Sequence, residues 1–327
     1  MPPVLVAPDS FKGTLRATQV AAAIGRGLES AGLEPPDLCP VADGGEGTLE
    51  ALLTALGGAS EGTVAHDPFG REIRSGFALV EGGGTAVVET AEASGLHHGQ
   101  DPWPASTYGT GEVICAAVRA GAQVVLVGVG GSATTDGGAG ALEAIEAFGG
   151  LHGARLVVLC DVQTTWERCA EVFAPQKGAD VAMVARLGRR LDVLADSLPR
   201  DPRGVAMTGA AGGLAGGLWA VHDAVLEPGA SFVLDALDFT RRMRPARCVI
   251  TGEGRLDEQS LQGKVVGEIG TRTRQGGVPL HAIVGRNAMD PFAARMIDLQ
   301  EVKEASTPEE IEAAARALGA RIGAGLA

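Results

Sequence analysis

Short apolar runs alternate with glycine- and acid-bearing turns and with amphipathic helical patterns, and this alternation constrains the fold more than any other feature of the chain. "PVLVA" (residues 3–7) reads as a buried strand, "APDSFKGT" as a loop, and "LRATQVAAAIGRGLESAG" as a helix ending in glycine. "LCPVADGGEG" is a second strand and turn, and "TLEALLTALGG" a second helix with a glycine C-cap. Repeated strand–helix units imply parallel strands, since parallel neighbours need a long crossover and a helix is the usual one.

The pattern changes near Ala65. "HDPFGREIRSGFALVEGGGTAVVETA" reads as strands joined by the tight turns "DPFG" and "EGGG", an antiparallel meander. Strand–helix alternation then resumes through "QVVLVGVG", "DGGAGALEAIEAFGG", "ARLVVLCDV", "RCVITGEG" and "PLHAIVG", and ends in the capped helical pattern "TPEEIEAAARALGARIG". The expected fold class is α/β with two α/β domains. One is a parallel-sheet domain made of residues 1–65 and 247–327. The other is a mixed-sheet domain, residues 66–246, inserted between those ends and carrying a glycine-rich phosphate-binding loop. A local echo supports one turn design used twice: Asp43-Gly44-Gly45-x-Gly47-x-Leu49-Glu50-Ala51 matches Asp136-Gly137-Gly138-x-Gly140-x-Leu142-Glu143-Ala144.

Composition narrows the function. Hydrophobic residues are 45% of the 327 and aromatics 4%, so the core is built from Ala, Val and Leu. The net charge of -13 argues against nucleic acid or an anionic membrane as partner, while leaving room for an anionic substrate in a locally basic pocket. The five cysteines form no CxxC pair and sit in or beside apolar runs, which points to buried free thiols in a reducing compartment. The six histidines show no metal-ligand spacing. No signal peptide opens the chain, and no apolar stretch approaches the roughly 20 residues of a membrane span. The expected location is cytoplasmic.

Polar residues collect where the strands end, which is where open parallel sheets bind ligands. Asp9, Ser10 and Lys12 follow the first strand, and Asp43 and Glu46 the second. Gly130, Gly131, Ser132, Thr134, Thr135 and Asp136 follow residues 124–129, and Asp161 follows 156–160. Glu253, Arg255 and Asp257 follow 248–251, and Gly285, Arg286 and Asn287 follow 280–284. Of 27 basic residues only four are lysine, and Lys12, Lys177 and Lys264 each adjoin a glycine. A lysine kept in an arginine-preferring chain suits a compact point charge on phosphate.

"GVGGSATTDGGAG" (residues 128–140) begins like a dinucleotide fingerprint, but the helix does not start at once and the distal acid is missing. A nicotinamide oxidoreductase is thus a minor alternative. Its hydroxyls and backbone N–H groups suit a phosphate chain. Carboxylates beside such loops make sense if Mg²⁺ bridges them to phosphate, and a carboxylate near the acceptor hydroxyl also serves phosphoryl transfer. On this reading Lys12, Lys177 and Lys264 balance phosphate or carboxylate charge, and backbone N–H groups at 44–47 (Gly44, Gly45, Glu46) and 130–138 cradle anions. Asp43 or Asp161 orients the acceptor, and Asp136, Glu253 or Asp257 holds Mg²⁺.

Taken together, "VLVAPDSFKGTL", "PVADGGEGTLEALL", "DPFGR", "ETAEASGL", "STYGTGEVI", "VGVGGSATTDGGAG", "VFAPQKGA", "AAGGLAGGL", "VITGEGRLDEQSLQGK" and "GVPLHAIVG" resemble the bacterial glycerate kinase family, the type typified by the glyoxylate and glucarate pathway enzymes. The motifs run in order from residue 3 to about 286. The resemblance implies an ATP- and Mg²⁺-dependent kinase of D-glycerate, giving 2-phosphoglycerate in most members. It also implies a flavodoxin-like domain from both chain ends with an inserted α/β domain. The motif residues it carries over are Asp9, Ser10, Lys12, Asp43, Glu46, Ser132, Asp136, Asp161, Lys177, Glu253, Arg255, Asp257 and Lys264. A homodimer is left open.

Three departures bear on activity. Thr135 stands where the family reads asparagine, Gln163 and Thr164 stand where it reads an acid and an amide, and about thirty residues are missing between the "FGG" helix and the "CDV" strand. They keep two alternatives open: a kinase for another small hydroxy acid, and a ligand-binding descendant without catalysis.

Overall fold

The computed structural model describes residues 2–261 and 264–325; Gln262 and Gly263 of the "QGK" motif lie outside the described residues. The strands in chain order are β1 (Val4–Pro8), β2 (Asp37–Leu38), β3 (Gly58–His66), β4 (Glu72–Val80), β5 (Thr85–Glu89), β6 (Val124–Gly128), β7 (Arg155–Cys160), β8 (Val225–Pro228), β9 (Cys248–Gly252), β10 (Arg255–Leu256), β11 (Leu280–Val284), β12 (Arg286–Asn287) and β13 (Leu299–Glu304). The helices are α1 (Ala17–Ser30), α2 (Thr48–Leu56), α3 (Thr90–Ser94), α4 (Tyr108–Arg119), α5 (Ala139–Ala147), α6 (Cys169–Phe173), α7 (Val181–Ser197), α8 (Leu214–His222), α9 (Gly229–Ala236), α10 (Phe239–Met243), α11 (Val265–Gly276), α12 (Pro291–Met296) and α13 (Pro308–Gly323).

The chain forms two compact units, Met1–Asp43 with Ala230–Ala327, and Gly44–Gly229. The limits expected after residue 65 and before 247 are thereby corrected. Strand β3 pairs along its whole length with β4, and α2 packs on β4 and β5, so residues 44–65 belong to the second unit. Residues 230–246 belong to the first, because Arg272 of α11 donates to Asp235 (2.5 Å) and Ser231 (2.9 Å) of α9.

The first unit holds a five-stranded parallel sheet in the order β13-β11-β9-β1-β2. Counted within the unit this is the flavodoxin-like order, whose direction of winding reverses between β1 and β9. Side-chain alternation covers both faces. Ile283 packs with Val20, Ile24, Ile311 and Leu318 of α1 and α13, whereas its neighbours Ala282 and Val284 pack with Val266 and Ile297 on the other face. Helix α13 starts at the expected capping box: Glu310 N–H donates to Thr307 Oγ1 (3.3 Å) and Thr307 N–H to Glu310 Oε2 (3.2 Å). The second strand is shorter than the sequence pattern implied. Pro36 and Pro40 flank it, yet Cys39 N–H and Val41 N–H still donate to β1, to Val6 O and Pro8 O (2.8 and 3.0 Å). That lacing carries Asp43 to the carboxyl end of β1.

The second unit holds a six-stranded mixed sheet, β3-β4-β5-β6-β7-β8, antiparallel through β3, β4 and β5 and parallel from β5 to β8. Its core joins Val88, Val125, Val127 and Val158 to Ile114, Ile145, Leu214 and Leu218 of the helices. A satellite core surrounds Trp166, which is fully buried against Leu187 and Leu191 of α7 and donates Nε1–H to Leu191 O (3.2 Å). A tight link joins α5 to β7, and in it Gly149, Gly150 and Gly153 all have positive φ. All five cysteines are free and buried. No described helix is long and apolar enough to cross a membrane.

Candidate active site

In the first unit, the loops after β1, β9 and β11 line a cleft of about 460 Å³ at the carboxyl ends of the strands, by the winding reversal. Asp9, Ser10, Lys12, Asp43, Glu253, Arg255 and Lys264 all line it, together with Thr14, Arg286 and Ser306. A turn closed by Phe11 N–H to Leu15 O (2.8 Å) and Thr14 N–H to Phe11 O (2.8 Å) presents Lys12. Lys12 Nζ reaches Asp43 Oδ2 at 3.2 Å; the carboxylate is 1% exposed.

Three acids, Asp9, Asp43 and Glu253, are thus buried in one cleft. Burial drives the Asp9 carboxyl well above its ordinary range, reinforced by the charge of Asp43 and opposed by Lys12 and the Ser10 N–H. Burial likewise pushes Glu253 up to about 7, against a hydrogen bond from Ser260 and the charge of Lys264. Glu253 Oε1 and Ser10 Oγ are buried without a hydrogen-bond partner. Such orphaned acceptors are rare in cores and suit a site that receives a ligand.

The second unit places its polar residues at the ends of β6 and β7, around a small pocket of about 70 Å³ lined by Gly130, Gly131, Ser132, Asp161 and Lys177. Lys177 is 2% exposed; its ammonium donates to Ser132 Oγ (3.1 Å) and to Thr134 O. Burial pulls its pKa down to about 8, resisted by Cys169, Asp136 and Asp161. Thr134 and Thr135 hydroxyls are buried here without partners. The loop is shaped by the other motifs. Ala133 N–H donates to Ser94 O (2.8 Å), Leu96 N–H to Gly131 O (3.1 Å) and Gly137 N–H to Gly212 O (3.0 Å). Gly130 N–H donates to Gly44 O (3.2 Å), and a Cβ on Gly130 would lie 2.5 Å from Gly45 Cα, so this approach requires glycine at 130.

Several expectations change. Asp136 is set aside as a metal ligand: its oxygens accept from Thr107 N–H (2.8 Å), Thr107 Oγ1–H (2.8 Å), Gly138 N–H (3.1 Å) and Gly140 N–H (3.2 Å), which makes it the anchor of the loop and of α5. Asp257 does not line the cleft; it pairs with Arg255 at 3.0 Å. Gly44, Gly45 and Glu46 line neither pocket, and Glu46 is exposed. The anion at the start of α2 is the chain's own. Glu89, at the end of β5, accepts from Leu49 N–H (2.7 Å) and from Gly47 N–H. Burial pushes Glu89 up to about 7. Gln163 and Thr164 act through their carbonyls, which accept from Met207 and Gly209.

Glu89 and Thr107 escaped the sequence reading although both lie in quoted motifs, because a strand-end acid and a helix-start threonine look ordinary. Ser306 carries no motif signal. Arg286 was legible only as one more strand-end residue.

For Mg²⁺ the residues of the first cleft fit. They offer hard carboxylate oxygens, one of them unpartnered, in an arrangement whose mutual repulsion a divalent cation would relieve. Among the described residues no group of three or more His, Cys, Asp or Glu is placed to hold a metal ion by itself.

A family model described as the glycerate kinase family matches residues 4–150 and 146–321. A glycerate kinase of Bacillus subtilis (strain 168) is 38% identical, covering 89% of this chain and 86% of its own length. A glycerate 2-kinase of Escherichia coli (strain K12) is 34% identical, covering 86% and 84%. The crystal structure of a Salmonella typhimurium LT2 protein proposed to be a glycerate kinase 2 superposes with a TM-score of 0.80 at 31% identity over 99% of both chains. With that match across both units, the chain belongs to the glycerate kinase family.

Proposed function

We propose that this protein transfers the γ-phosphoryl group of ATP to a hydroxyl of D-glycerate, giving 2-phosphoglycerate. The observation that carries the reading is the first cleft, where buried Asp9, Asp43 and Glu253 meet Lys12 and Lys264 beside an unpartnered carboxylate oxygen. Acids and lysines together serve a reaction that needs both an acceptor for an alcohol proton and counter-charge for phosphate. Mg²⁺, when bound, would neutralise phosphate charge, with Glu253 and Asp9 as the side chains to hold it.

Asp43 takes the hydroxyl proton as the substrate oxygen bonds to the γ-phosphorus and the bond to the β-phosphate oxygen breaks. Lys12, ion-paired with Asp43, fixes that carboxylate's orientation and adds positive charge near the transferring group. Lys264 at the start of α11 adds a second charge. In the second unit, Lys177 binds an anionic group in a pocket large enough for a single phosphate or carboxylate. Asp161, on the same wall, takes a positioning role.

Gln163 and Thr164 favour a second reading, another small hydroxy acid as acceptor, because the side chains there no longer offer the family's acid and amide. Incubation with ATP, Mg²⁺ and a panel of hydroxy acids separates the two. The proposal expects D-glycerate to give the highest kcat/KM, and Asp43→Asn to lower kcat by about 100-fold or more. An unchanged kcat in that variant would reduce Asp43 to a turn residue.

A further inference from the structure

The loops that follow β9 and β11 do not splay apart above the sheet. Gly285 N–H donates to Glu253 O (3.0 Å), Arg286 N–H to Gly254 O (3.0 Å) and Ala288 N–H to Leu256 O (2.8 Å). Together they form the separate two-stranded parallel ribbon β10-β12, in which Arg255 and Arg286 are register partners. This approach needs glycine: a Cβ on Gly285 would lie 2.5 Å from Gly254 O. Register partners put their side chains on one face of a ribbon, so the Arg255 and Arg286 side chains leave it on the same face. Both line the cleft. Asp257 engages Arg255 at 3.0 Å, whereas the Arg286 side chain makes no hydrogen bond or ion pair among the described residues. The wall behind them carries two buried, unpartnered groups, Ser10 Oγ and Glu253 Oε1.

We propose that Arg286, set beside Arg255 by this ribbon, forms a paired-guanidinium clamp for an oxyanion at the rim of the first cleft. The oxyanion is the carboxylate of the hydroxy acid or a phosphate of the nucleotide, both of which the planar fork of arginine matches bidentately. The inference rests on the kinase reading and gives that site its anion-recognition element.

The test compares wild type with Arg286→Ala and Arg286→Lys, measuring KM separately for D-glycerate and for ATP, with circular dichroism to confirm folding. Arg286→Ala is expected to raise one KM by about 20- to 100-fold while kcat stays within about threefold. Arg286→Lys, which keeps charge but loses the fork, recovers only part, and added guanidinium ion restores binding to the alanine variant. A rise in KM for D-glycerate identifies the carboxylate as the ligand; a rise in KM for ATP identifies a phosphate. Both KM values within about twofold of wild type, or a fall in kcat alone, would overturn the clamp. Should the wild type show no turnover, the kinase reading fails, and calorimetry with D-glycerate and with inorganic phosphate decides the clamp: weaker binding by Arg286→Ala supports it and equal binding overturns it.

Discussion

Glu89→Gln should stabilise the protein at alkaline pH and do little at acid pH. Glu89 is 6% exposed and caps the start of α2 through Leu49 N–H at 2.7 Å. Glutamine keeps an acceptor oxygen for that bond and removes the ionisable group. The folded pKa is raised from 4.5 to about 7, so the folded state holds the proton longer than the unfolded chain does. The cost of ionising the buried acid therefore begins as pH rises above the unfolded value, near 4.5, and is complete above about 7. A shift of that size, at about 1.4 kcal/mol per pH unit, corresponds to about 3 kcal/mol at pH 8 and about 1 kcal/mol or less at pH 5. Urea unfolding followed by circular dichroism at the two pH values reads the difference directly. A variant that is less stable than wild type at pH 8, or an effect equal at both pH values, would refute the reasoning and show that the negative charge at the helix start outweighs its burial.

Asp136→Asn should lower the urea midpoint by the equivalent of about 2–4 kcal/mol, since an amide nitrogen would face donors the carboxylate now satisfies; an unchanged midpoint would contradict its anchoring role. Lys177→Met should cut kcat/KM by about 100-fold or more with the fold intact by circular dichroism, and retention of activity would remove the second pocket from the mechanism. The wild-type pH profile of kcat/KM should fall above about 8 as Lys177 loses its proton, and a profile that stays flat to about pH 10 would contradict that role.

Much of this architecture could be read from strand-sized apolar runs and the turns between them. The parallel sheet, the antiparallel start of the second sheet and the capped terminal helix all follow local rules: period, glycine stops and the Thr307–Glu310 box. Strands β8 and β13 were not legible. "VLEP" carries proline and few apolar residues, and "LQEVKE" is an edge strand whose alternation is masked by charges. The unit limits were misplaced because helix α2 and strand β3 look locally like a continuation of the opening βα pattern; only their packing on β4 and β5 assigns them.

For the site, the strand-end rule singled out Asp9, Ser10, Lys12, Asp43, Glu253, Arg255 and Lys264, and these residues line one cleft. It could not separate a ligand from an anchor. Asp43 and Asp136 open identical glycine turns, yet one lines a cleft beside Lys12 and the other is consumed by four internal hydrogen bonds. That distinction depends on where Thr107 sits, twenty-nine positions away from Asp136, which no local pattern encodes.

Phosphorus NMR of the reaction product tests the central claim most directly. With ATP, Mg²⁺ and D-glycerate present, the account predicts loss of the γ-phosphate resonance and a new phosphate monoester signal split into a doublet by the single hydrogen on carbon 2. A triplet would place the phosphate on carbon 3 and overturn the proposed position. Unchanged ATP resonances, from protein whose fold is intact by circular dichroism, would contradict the kinase assignment itself.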